Sequence, residues 1–77
     1  MRGKKVTVIL TEHFKERYRE RVGNAPSSAQ QAWVARSLKS RRPKSQSDGK
    51  FRVKLVGSRH VVVLAREKGV WVAVTVE

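Results

Sequence analysis

His13, Arg17 and Arg21 recur at intervals of four, a spacing that stacks all three on one face of a helix. Immediately beside them runs an apolar row of Phe14, Tyr18 and Val22. Like charges stacked at i and i+4 cost a few tenths of a kcal/mol per pair, so stability alone would favour alternating signs here. Glu20 relieves Arg17 and Glu16 relieves Arg19 only in part. Two readings fit: a cationic row facing a phosphate backbone at the border of helix and sheet, or a solvated flank whose long stems cover the core's edge. The imidazole distinguishes this row from an ordinary charged flank, because it is the side chain that gains and loses protons near neutrality.

A second cationic set lies later. Arg52 and Lys54 alternate with Phe51, Val53 and Leu55, so a strand here has one greasy face and one basic face. Arg41, Arg42, Lys44 and Lys50 precede it. They make either a basic floor with it or the charged guard of a sheet edge. Arg59 and His60 follow at a turn and a strand start, where His60 is either a proton-transfer group or a plain surface residue. Trp71 and Thr75 are expected together on the face of the last strand opposite Val70, Val72, Val74 and Val76. There Trp71 either stacks on a base or packs under a helix, and Thr75 either bonds phosphate or simply suits a strand.

These groups sit in a strongly biased chain. Eighteen Lys and Arg against six acids give a formal charge of +12 on 77 residues. From Arg21 to Arg66 the only acid is Asp48. Such a field attracts polyanions, and nucleic acid is the partner it implies. No cysteine is present, which removes disulfides and thiolate ligands and suits a cytoplasmic location. Two His and no Cys fall short of a zinc site, and the acids do not cluster as two-metal chemistry requires. No phosphate-cradling Gly-rich loop or serine elbow occurs, so no cofactor is expected. Metal-free chemistry with His, Arg and Lys still suffices for RNA, whose 2′-hydroxyl supplies the nucleophile.

One domain of 77 residues must position these side chains, with a core of modest size. No apolar run reaches the roughly 18 residues that span a bilayer, so no membrane association is expected. The basic opening Met1–Lys5 precedes Val6–Leu10, which lacks a small-residue cleavage site and reads as a first strand rather than a leader. Thr11 is a natural N-cap with Glu12 in the first turn, and Gly23-Asn24 is expected to cap the helix end. A second helix is expected after Pro26, with Ser27 and Gln30 at capping-box spacing and Ala29, Ala32, Trp33 and Leu38 as its apolar stripe. Trp33 reads as core. Residues 41–49 read as a loop. Three strands follow, around Phe51–Leu55, His60–Ala65 and Val70–Val76, with turns at Gly57-Ser58 and Lys68-Gly69. The expected fold is α+β, ordered β-α-α-β-β-β, with an antiparallel, mostly meander sheet and both helices on one side.

The run from Leu10 to Gly23, with His13, Arg17 and Arg21 on its helix, resembles the opening of small uncharacterised domains allied to the RelE-like toxin ribonucleases and the wider barnase–colicin–RelE fold. Val61–Leu64 and the closing Val72-Ala73-Val74-Thr75-Val76 resemble their last strands, so the similarity covers about half the chain and leaves residues 25–50 out. The resemblance implies a RelE-like architecture and a metal-independent endoribonuclease. His13 would be general acid or base, Arg17, Arg21 and Arg52 phosphate ligands, and Thr75 a neighbour of the pocket. It also implies the ribosome as a setting and an acidic antitoxin or inhibitor as a protein partner. The residues alone equally fit a non-catalytic DNA- or RNA-binding accessory protein of phage or mobile-element type, or a module that docks an acidic protein.

Overall fold

The computed structural model describes residues 6–77; the basic opening, residues 1–5, lies outside them. Its elements run β1 (Val8–Leu10), α1 (Glu12–Arg21), α2 (Ser27–Ser40), β2 (Lys44–Ser45), β3 (Phe51–Lys54), β4 (Val61–Glu67) and β5 (Val70–Val76). The strands form one five-stranded sheet in the order β1-β5-β4-β3-β2. β1 lies parallel to β5, and every other pairing is antiparallel. The α+β class therefore holds, while the sheet is mixed rather than antiparallel. The cause is connectivity: α1 and α2 intervene between β1 and the meander, and such a crossover lets the first strand join the last in the same direction. The segment 41–49 is not all loop either, since Lys44 pairs with Arg52 and Ser45 with Phe51.

α1 begins as its sequence demands. The Thr11 hydroxyl accepts the Phe14 N–H at 3.0 Å, satisfying one of the otherwise orphaned first-turn donors. The same hydroxyl lies 3.1 Å from the carbonyls of Ala73 and Val74, and the Thr11 N–H donates to Ala73 O at 3.2 Å. The cap thus welds the helix start to β5. The helix ends at Val22 without a left-handed glycine: Gly23 is not among the positive-φ glycines, Gly49, Gly57 and Gly69. The Lys68-Gly69 turn does match expectation, with φ of 50° and 78°, the two positive values that a tight primed hairpin turn needs.

α2 departs from its expected register. It buries Gln30, Val34 and Ser37, while Trp33 is 39% exposed, so Trp33 is not core. Pro26 rather than Ser27 occupies the cap position, with no side-chain cap bond. The buried polar pair explains the rotation. Gln30 Nε2 donates to Ala25 O at 3.0 Å, and Ser37 Oγ accepts the Val56 N–H at 3.0 Å while donating to Trp33 O at 2.8 Å. Satisfying those backbone groups outweighs burying one more indole.

The core lies between the helices and one sheet face. Phe14, Tyr18 and Val34 meet Val8, Val53, Leu55, Val62, Leu64, Ala73 and Val76 there, with Phe51, Leu38 and Trp71 packed at its margin. Among the described residues no helix covers the other face. Among the described residues no helix is long and apolar enough to cross a membrane.

Candidate nucleic-acid interface

The pairing registers place the polar candidates of the open face in one line across four strands. Lys44 faces Arg52, Arg52 faces Val63, and Val63 faces Thr75. Directly opposed residues in a sheet share a face, and Arg52 and Lys54 alternate with the core residues Val53 and Leu55. The next row is Lys54, Val61 and Glu77, the last two exchanging main-chain hydrogen bonds at 2.7 and 3.0 Å. Val63 is only 3% exposed yet does not belong to the helix-side core. Arg52, its cross-strand neighbour on that face, reaches past β4 to Glu77.

A groove of about 450 Å³ opens where this row meets the exit of α2. Arg41, Arg42, Lys44, Gln46, Arg52 and Lys54 line it, with Val53 and Val61 as its apolar wall. α2 delivers Arg41 as its C-terminal cap residue, next to the negative end of the helix dipole, where a cation is favoured. The two-residue β2 then turns Lys44 onto the open face. Among the described residues none of Arg41, Arg42, Lys44 and Lys54 has a carboxylate within 4 Å, whereas Arg52 has two: Asp48 at 4.0 Å and Glu77 at 3.7 Å. Lys50 and Arg59 sit in connections outside the lining. The Lys50 N–H is held by Asp48 at 3.0 Å, and the Arg59 side is exposed.

The helix row occupies a different place. β1 stops opposite Ala73, and α1 runs along the part of β5 that β1 leaves uncovered. Arg21 donates to Val76 O at 3.2 Å there, so its guanidinium caps a strand-edge carbonyl. Arg17 pairs with Glu20 at 3.1 Å within the helix. His13 is exposed, with no hydrogen bond or ion pair to any described residue. Arg21 and Arg52 thus approach the end of β5 from two sides, one at Val76 and the other at Glu77. His60 joins them: its Nδ1 lies 3.2 Å from the main-chain oxygen of Glu77. His13 and Arg17 make no contact with that end.

Trp71 and Thr75 do not share a face. The β4–β5 register shifts between Val63 and Leu64, so Val63 faces Thr75 but Leu64 faces Ala73, leaving Val74 as an extra residue. Such a bulge reverses the alternation on either side of itself. Thr75 turns to the open face. Trp71 turns to the helix side, where it meets Phe51 edge-on at 5.0 Å and lies under Arg66 at 4.7 Å. The expected run of valines on one face is broken for the same reason, since Val76 is core while Val72 faces out.

Three residues escaped the sequence reading. Glu77 and Asp48 converge on Arg52; the period of two from Thr75 to Glu77 was the available signal for the first. Gln46, whose N–H bonds Lys50 O at 2.8 Å, closes the hairpin tip into the groove. Among the described residues no three His, Asp or Glu side chains gather as metal ligands do. No protein-family model, curated protein or solved structure is significantly similar to this chain.

Proposed function

We propose that this chain is a nucleic-acid-binding protein, RNA favoured, that grips the phosphate backbone in the groove between the α2 exit and the β2–β3 hairpin. The observation that carries the reading is the set of four cations without acidic partners among the described residues, Arg41, Arg42, Lys44 and Lys54, around one cavity on an open sheet face. Flexible basic tails also attract phosphate, but they do not fix cations at cross-strand spacing. Contacts of this type position a backbone rather than read bases, so sequence preference is weak on this reading. The test is fluorescence anisotropy with a single-stranded RNA dodecamer. Arg41→Ala with Arg42→Ala should flatten the salt dependence by about 1.4 in the slope of log K against log salt. An unchanged slope refutes the groove.

A RelE-like, metal-independent endoribonuclease is the second reading. It is favoured by Arg21, Arg52 and His60 each reaching Val76 or Glu77 at the end of β5, where cations and an imidazole would flank a phosphodiester. His13 is the proton-transfer candidate by resemblance and His60 by position. Incubation of RNA with the protein in EDTA, alone and with ribosomes, tests it against His13→Ala and His60→Ala. Cleavage lost in one variant assigns the imidazole; intact RNA under every condition eliminates the enzyme.

A further inference from the structure

Of the groove's cations, Arg52 alone is paired with carboxylates among the described residues. Its Nε lies 3.7 Å from a Glu77 carboxylate oxygen and its guanidinium 4.0 Å from Asp48, while the arginine side chain is 31% exposed. The chain has six acids, and three of them are on α1. That two of the remaining three meet on one arginine, beside groove cations that have no carboxylate within 4 Å among the described residues, is the feature that needs a reason. Stability supplies little of one, since exposed ion pairs at such distances contribute close to nothing. Glu77 is also held in place from behind: its main chain is doubly bonded to Val61, and the His60 ring stands at its carbonyl. Its main chain is therefore fixed at the end of β5, from which its carboxylate reaches the Arg52 guanidinium on the open face.

We propose that Glu77 is an internal competitor for phosphate at Arg52, a carboxylate that fills the seat until a polyanion displaces it. The inference rests on the groove reading and deepens it. The chemistry is an exchange of one anion for another on the same guanidinium. A single phosphate gains little by displacing Glu77, because it trades one ion pair for another. A polynucleotide gains, because Arg41, Arg42, Lys44 and Lys54 hold its neighbouring phosphates and raise the local concentration of the next one. Glu77 thereby selects polymers over free phosphate and mononucleotides.

The experiment compares wild type, Glu77→Gln and Glu16→Gln for binding of a single-stranded RNA dodecamer between 50 and 300 mM salt, with inorganic phosphate as competitor. Glu16 lies on α1 and is exposed, away from the groove, so its variant changes net charge by the same amount without touching the seat. Glu77→Gln should tighten RNA binding about two- to fivefold at 50 mM salt, the span an exposed ion pair allows. It should also steepen the salt slope by about 0.7, because Arg52 then releases a counterion of its own. Phosphate should compete measurably against Glu77→Gln and hardly against wild type. Equal effects of Glu16→Gln and Glu77→Gln would reduce the result to long-range charge and overturn the proposal. Weaker binding by Glu77→Gln would make Glu77 a support for Arg52 rather than its competitor, and would also overturn it. RNA bound by wild type and unchanged in Glu77→Gln refutes this inference alone; RNA bound by no variant refutes the groove reading as well.

Discussion

Thr11→Val tests how the fold places the open face. The substitution keeps the side chain's size and β-branching and removes only the hydroxyl. That hydroxyl accepts from the Phe14 N–H at 3.0 Å and lies 3.1 Å from the carbonyls of Ala73 and Val74. Losing the cap costs about 1 kcal/mol. Losing the donor to the bulge costs about another 1 kcal/mol, less any relief from Ala73 O, which keeps the Thr11 N–H. The sum, about 1.5–2 kcal/mol, is large for a 77-residue domain whose total stability is expected near 4–11 kcal/mol. With a urea slope of about 1 kcal/mol per molar, the unfolding midpoint should fall by roughly 1.5–2 M. Thr11→Ser should stay within about 0.5 kcal/mol of wild type, since serine caps as well as threonine. A Thr11→Val midpoint within about 0.5 M of wild type would refute the claim that this residue ties α1 to the bulge.

Ser37→Ala should destabilise by about 1–2 kcal/mol in the same urea assay, because it removes the partner of the part-buried Val56 N–H; a loss under about 0.5 kcal/mol would contradict that. Burial pushes the Tyr18 hydroxyl above its ordinary value of 10.0. The folded state then holds its proton longer than the unfolded chain, so the tyrosine's contribution is intact below about pH 10 and is lost as pH rises through the folded value. Unfolding free energies measured from pH 9 to 11 should fall in wild type more steeply than in Tyr18→Phe.

Much of the fold was legible because its signals are local. Thr11 and Glu12 announce α1, Lys68-Gly69 announces a hairpin, and the alternation of Phe51 to Leu55 announces a two-faced strand. The parallel pairing of β1 with β5 was not legible, since partner choice across more than 60 residues leaves no local mark. Neither was the bulge at Val74. A run of alternating valines looks regular, and one extra residue reverses its faces, which is why Trp71 and Thr75 part company. The register of α2 was misread for another reason. Gln30 and Ser37 are buried by what they bond rather than by what they are, and hydrophobic periodicity does not register backbone groups in need of a partner. At the site, the basic residues from Arg41 to Lys54 were visible as a run. Their gathering around one cavity depends on β2, a strand of two residues that composition disguises as loop.

The central claim is a place: polyanions seat on the open sheet face and its groove, not on the outer flank of α1. Titrating isotope-labelled protein with a single-stranded RNA dodecamer, and following backbone amide and arginine side-chain resonances by NMR, reads that place directly. The account predicts the largest shifts at Arg41, Arg42, Lys44, Arg52, Lys54 and Thr75, with little change at Glu16 and Arg19. Shifts concentrated on α1 around His13 and Arg17, with the groove residues unmoved, would contradict it.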